Sequence, residues 1–82
     1  MNFTWNETKR QSNLQKHGLD FADAEIVFSG ETFTFEDDRF AYGEQRFISM
    51  GWLRGVVVVM AHTEDAETIH LISARKAEKH ER

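Results

Sequence analysis

The hydrophobic positions change period several times along the chain, and each change marks an element. Asn2 to Trp5 alternates polar and aromatic residues and predicts a short edge strand. Asn6 is then a good helix N-cap, with Glu7 in the first turn, where the helix dipole favours an acid. Glu7 to Lys16 is rich in helix formers, and Gly18 stands where a helix stop wants a left-handed residue. With Gly18 in that role, Leu19 falls opposite Leu14, the contact of a Schellman cap. Asp20 caps a second, shorter helix in which Phe21, Ala24 and Phe28 recur at helical spacing, with Val27 widening the stripe and Ser29-Gly30 closing it.

The period then becomes two. Thr32 to Phe35 places both phenylalanines on one side, and Glu36 to Asp38 makes a polar turn or loop. Arg46 to Trp52 sets Ile48, Met50 and Trp52 against Phe47 and Ser49. Leu53-Arg54-Gly55 is a tight connection, and Val56 to Met60, continuously apolar and mostly β-branched, suits a central strand buried on both faces. After a turn at Glu64-Asp65-Ala66, Thr68 to Ser73 is a further strand, and Ala74 onward reads as a charged helix start. The expected fold is therefore α+β: a short N-terminal strand, two helices, a four-stranded antiparallel meander and a C-terminal helix, with the helices on one face. No proline, repeat or low-complexity stretch interrupts it, so residues 1–82 read as one domain.

Composition narrows the class. Charged residues make up 29% and hydrophobic ones 40%, which is ordinary for a soluble globular protein. The longest apolar run, Val56 to Ala61, falls far short of the roughly 20 residues a membrane helix needs. The first residues lack a signal-peptide pattern, and cysteine is absent, so the expectation is a cytoplasmic domain without disulfides or thiolate metal sites. A core this small is marginal, and the aromatic residues, a partner or a second copy would have to supplement it.

Charge is distributed unevenly. Residues 1–20 carry Lys9, Arg10 and Lys16 against Glu7 and Asp20, a net of +1. Residues 21–67 carry ten acids against Arg39, Arg46 and Arg54, a net of −7. Residues 68–82 carry Arg75, Lys76, Lys79 and Arg82 against Glu78 and Glu81, a net of +2. The formal total of −4 excludes a protein coated all round in basic charge. Any basic surface has to be assembled from the two ends of the chain.

Several segments carry a family resemblance in order. They are Phe3-x-Trp5-Asn6-x-x-Lys9, Asn13-Leu14-x-Lys16-His17-Gly18-Leu19-x-Phe21, Ala24-x-x-Val27-Phe28, Glu44-x-Arg46-Phe47-x-x-x-Gly51 and Ile72-Ser73-Ala74-Arg75-Lys76-Ala77. Together they resemble the BrnT-type toxins of bacterial type II toxin–antitoxin systems, which share the RelE-like ribonuclease fold. The resemblance implies a toxin that cleaves RNA and slows translation. It also implies a BrnA-like antitoxin that wraps the toxin and binds operator DNA, so that the toxin meets DNA only indirectly. Asp65 and His70 depart from the basic residues usual at those places in similar proteins.

RNA can be cleaved without a metal or other cofactor if the 2′-OH attacks its own phosphate. The step needs a base, an acid and positive charge on the phosphorane. Imidazole suits the proton transfers and arginine the charge, which makes His17, Arg46 and Arg75 the candidate catalytic residues. Lys16, Lys76 and Trp5 are the candidates for holding substrate. Each has a plainer alternative. Lys16 and His17 could merely complement a helix dipole, Arg46 could pair with Glu44, Arg75 could be solvated, and Trp5 and Trp52 could fill the core. His62 and His70 could share a metal only if their side chains met, and they lack a third fixed ligand. Two functions remain open: a metal-independent RNA endonuclease, and an inert module that only docks its antitoxin.

Overall fold

The first helix starts where Asn6 Oδ1 accepts the Lys9 amide at 3.0 Å, and it stops at Gly18, whose φ is +71°. In the computed structural model, which describes every residue except Phe40 and Tyr42, this helix is α1, Glu7–His17, and it follows strand β1, Asn2–Trp5. The stop differs from a Schellman cap. The Gly18 N–H donates to the Leu14 carbonyl at 2.8 Å, the single bond of the simpler left-handed cap, and Leu14 stays exposed while Leu19 turns into the core. Asp20 then accepts the Ala22 amide and opens a 3-10 turn, Phe21–Asp23, which runs directly into α2, Ala24–Ser29. The same carboxylate receives Arg10 through two bonds of 2.9 and 3.1 Å, tying α1 to the start of the second helical segment. That pairing holds the Asp20 carboxyl below its ordinary pKa.

Four more strands follow: β2 Thr32–Glu36, β3 Phe47–Leu53, β4 Val56–Glu64 and β5 Thr68–Lys76. They form the expected meander, and β1 joins it in parallel beside β5, giving a mixed five-stranded sheet in the order β1-β5-β4-β3-β2. The β3–β4 hairpin closes on Arg54 and Gly55, both at positive φ (+49° and +81°), as a two-residue turn between twisted strands requires. The β4–β5 turn closes on Asp65, whose Oδ1 accepts the amides of Glu67 and Thr68 at 3.0 Å each.

The C-terminal helix expected from Ala74 does not form. Ala74, Arg75 and Lys76 stay in β5, paired to Met60, Val59 and Val58, and beyond them only Lys79–Glu81 makes a 3-10 turn. A register shift explains why the alternation had looked finished at Ser73. Ser73 pairs with Ala61 while Leu71 pairs with His62, so Ile72 is the extra residue of a bulge. Across it Leu71 and Ala74, three apart, both reach the buried face.

One face of the sheet is closed by the helices. Leu19, Phe21, Ala24 and Val27 pack there against Leu53, Val58, Met60, Ile69, Leu71 and Ala74. Gly51 marks the closest approach, since a Cβ on it would lie 2.8 Å from Val27 Cγ1 and 3.1 Å from Thr32 Cγ2. The other face carries Phe33, Phe35, Ile48, Met50, Trp52, Val57 and Val59 by strand register. Neither α1 nor α2 covers it, and the C-terminal segment with Glu81 and Arg82 lies against part of it, where Val59 is buried.

The unpaired edge of β5 beyond Leu71 is completed by a side chain. Asn13, buried on α1, donates Nδ2 to the Ala74 carbonyl at 2.8 Å and accepts the Ala74 amide on Oδ1 at 3.1 Å. Nδ2 also donates to the Leu19 carbonyl at 3.2 Å. The carboxamide thus stands in for one residue of a neighbouring strand. Asn13→Ala leaves two buried backbone groups of Ala74 without partners and should cost about 2–4 kcal/mol in urea unfolding. Asn13→Asp, which removes both donations, should be at least as damaging, and a change near zero in either would refute this role. Gly51→Ala should cost about 1–3 kcal/mol by overpacking against Val27 in the same assay.

Candidate functional site

Because Asn13 holds α1 against β5, the basic residues of that helix come to the bulged edge of the sheet. Lys9, Ser12, Lys16 and His17 line a shallow cleft with Asn13, Ile72 and Ser73. The helix supplies the grouping. Lys9, Ser12 and Lys16 recur at intervals of three, four and seven residues, so they share one side, and His17 stands a turn below Asn13. Among the described residues no carboxylate pairs with the Lys9 or Lys16 ammonium or with the His17 imidazole.

The arginines are placed differently. Arg10 pairs with Asp20 and Glu7, Arg39 with Asp37, Arg46 with Glu44 at 3.4 Å and Arg54 with Asp23. Arg46 precedes β3, separated from β5 by β4, so it does not share the α1 cleft. Arg75 lies inside β5, not at a strand-to-helix junction, and register places it on the open face, two residues beyond Ser73. Its guanidinium forks onto Glu81: Nη1 to Oε1 at 2.7 Å and Nη2 to Oε2 at 2.9 Å. Glu81 also accepts the Glu78 amide at 2.8 Å. The bonds from Arg75, then that backbone donor, hold the Glu81 carboxyl down to about 2.

Trp5 packs partly buried against the core, with its indole N–H 3.4 Å from Glu7 Oε1, and does not line the α1 cleft. Trp52 is 60% exposed on the open face. Lys76 is exposed at the end of β5 beside Trp52 and Val57, away from the α1 cleft. The two departures from the family pattern have structural work: Asp65 is the hub of the β4–β5 turn, and His70 Nδ1 bonds Thr4 Oγ1 at 2.8 Å between β5 and β1. His62 and His70 lie on opposite faces of the sheet, and no group of three or more metal-ligating side chains occurs among the described residues.

His62 is fully buried under α2, with Phe28 edge-on at 5.3 Å and Phe47 stacked at 6.0 Å. Its Nε2 bonds Ser49 Oγ at 2.7 Å, and Ser49 in turn bonds Thr34 Oγ1 at 2.7 Å. Glu64 lies 3.7 Å from Nδ1, too far for a hydrogen bond. Serine, histidine and glutamate in this order have the look of a nucleophilic triad, but Ser49 is itself fully buried, which closes it to substrate. The group is structural. Burial lowers the His62 pKa despite the opposing pull of Glu64.

The residues that sequence reasoning passed over are Lys9, Ser12 and Ser73 in the cleft and Glu81 on Arg75. The first two share helical spacing with Lys16, a signal present in the chain from the start. Glu81 had none, because its partner becomes available only when β5 runs on past Ser73.

An α+β layer fold with a cationic cleft beside a sheet edge is compatible with the small RNA-cleaving toxins, and the comparisons give the class directly. The family model described as "Ribonuclease toxin, BrnT, of type II toxin-antitoxin system" matches residues 5–81. The crystal structure of the ribonuclease toxin BrnT from Brucella abortus superimposes with a TM-score of 0.69 at 32% identity, covering 96% of this chain and 99% of that one. No curated protein matches. The chain belongs to the BrnT family of type II ribonuclease toxins.

The buried imidazole gives a pH dependence that can be checked. With the folded pKa below the unfolded value of about 6.5, the unfolded chain binds the extra proton. The stability tied to neutral His62 is fully present above that value and is lost as the pH falls below it. The urea midpoint should therefore drop between pH 7.5 and roughly 5.5. His62→Gln should flatten that slope, and an unchanged slope in the variant would place its origin elsewhere.

Proposed function

We propose that this chain cleaves RNA by 2′-OH attack in the cleft between α1 and β5, without a metal, and is neutralised by a BrnA-like antitoxin in the cytoplasm. Operator DNA is reached only through that antitoxin. The observation that carries the reading is the grouping of Lys9, Lys16 and His17 against Ser73, with no carboxylate among the described residues paired to any of them. Arg10, Arg39, Arg46, Arg54 and Arg75 each have an acidic partner. Lys76, Lys79 and Arg82 have no carboxylate partner among the described residues either, but the α1 cleft is where such cations stand beside an unpaired imidazole that can move a proton.

The roles follow from placement. His17 accepts the 2′ proton as that oxygen attacks phosphorus, and Lys16 protonates the departing 5′ oxygen. Consecutive helical residues splay by about 100°, so the two side chains flank a phosphate instead of meeting each other. Lys9, one helical repeat away, neutralises the phosphorane. The products are a 2′,3′-cyclic phosphate and a 5′-hydroxyl. Arg75 lies on the path of the strand beyond the cleft. Arg46, beside Glu44 and across β4, serves at most at the periphery.

A second reading, an inert module that only docks its antitoxin, is favoured by one observation. Phe33 and Trp52 are 64% and 60% exposed on the open sheet face, an apolar surface suited to a partner. RNA incubated with the purified chain in EDTA separates the readings. The active toxin should yield fragments ending in cyclic phosphate, and His17→Ala should slow the cleavage by about 10²–10⁴-fold. Intact RNA after treatment with folded wild-type protein would favour the inert module.

A further inference from the structure

The Arg75–Glu81 pair has a geometry that a phosphate would also satisfy. Two parallel N–H···O bonds of 2.7 and 2.9 Å from one guanidinium are the arrangement by which arginine holds a carboxylate or a phosphate alike. Arg75 is the next residue after Ser73 on the open face of β5, roughly 7 Å along the strand, about one nucleotide of extended RNA. We propose that Glu81 is an internal occupant of a phosphate-binding site at Arg75, and that RNA reaches this site only by displacing it. The proposal rests on the placement of RNA in the α1–β5 cleft for the direction of the strand.

Three features make displacement feasible. Glu81 belongs to a single 3-10 turn of three residues, Lys79–Glu81, with no buried residue in it. A turn of that kind opens at low cost compared with a strand or a core helix. Its own support is local, since Glu78 and Glu81 cap each other's backbone. And Glu81, a carboxylate fully ionised near neutrality, releases Arg75 by moving away and not by protonation. Only a competing anion, or a partner that pulls the turn away, exposes the guanidinium. The same carboxylate, with Glu36, Asp37 and Asp38 lining the same cavity beside Arg39, disfavours isolated anions, so the site is reached only by an RNA already anchored by Lys9, Lys16 and His17.

The test is binding of a short 2′-O-methyl oligoribonucleotide, which cannot undergo 2′-OH attack, so the result does not depend on whether the chain cleaves RNA. Glu81→Gln should tighten binding roughly two- to fivefold, on the scale of a single solvent-accessible ion pair. Substituting Arg75→Ala in the same chain should erase the gain. Glu67→Gln, an equal change of charge on the β4–β5 turn, should give a smaller effect. Glu81→Asp keeps the charge but shortens the reach, and should also tighten binding if the glutamine variant fails to fold. No gain in either Glu81 variant, or a gain that persists without Arg75 or is matched by Glu67→Gln, would overturn the proposal.

Discussion

The carboxamide of Asn13 is the constraint from which the rest of the arrangement follows. Strand β1 stops at Trp5, opposite Leu71, and leaves the outer edge of β5 open above it. At Ala74 the backbone N–H and C=O turn toward that edge, where they would be buried without partners. Asn13 meets both, and through Leu19 it also fixes the chain leaving α1. One side chain thereby joins a helix, a turn and a strand more than sixty residues apart in sequence. The cleft bearing Lys9, Lys16 and His17 exists because that junction sets how α1 lies along β5.

Charge follows the same division of labour. The overall balance of −4 would discourage nucleic acid if it were smeared evenly over the surface. It is not. Three acids of the middle segment pair with arginines, Glu31, Glu36 and Asp38 stand around β2, and Glu64, Asp65 and Glu67 gather at the β4–β5 turn, at the far end of β5 from Ser73. From β5 to β2 is three strand spacings, about 14 Å, which exceeds a screening length of about 8 Å at physiological salt. A phosphate in the α1 cleft is governed by the lysines beside it. This is how an acidic chain can keep one locally positive cleft.

Much of the fold was legible in the chain. Asn6 and Gly18 bracket α1 because capping is local chemistry, and alternation from Thr32 to Trp52 reveals two strands for the same reason. The misreadings come from contacts distant in sequence. Ile72 breaks the alternation of β5 by bulging, so the continuation through Ala74 and Lys76 looked like a helix with good propensity, while pairing to β4 decided otherwise. Of the candidate site residues, Lys16 and His17 were legible as a charged helix end. Their meeting with Ser73 was not, since it depends on Asn13. Arg75 was singled out by residue type, but the carboxylate that occupies it is invisible until β5 is known to run on and bring Glu81 within reach.

The account turns on where a phosphodiester sits. A titration of isotopically labelled protein with a non-cleavable 2′-deoxy oligonucleotide, followed by amide chemical shifts, reads that position directly. The account predicts the largest shifts at Lys9, Ser12, Lys16, His17 and Ser73, weakening as salt is raised. Shifts confined to Phe33, Phe35 and Trp52 on the open face, with α1 unmoved, would contradict it.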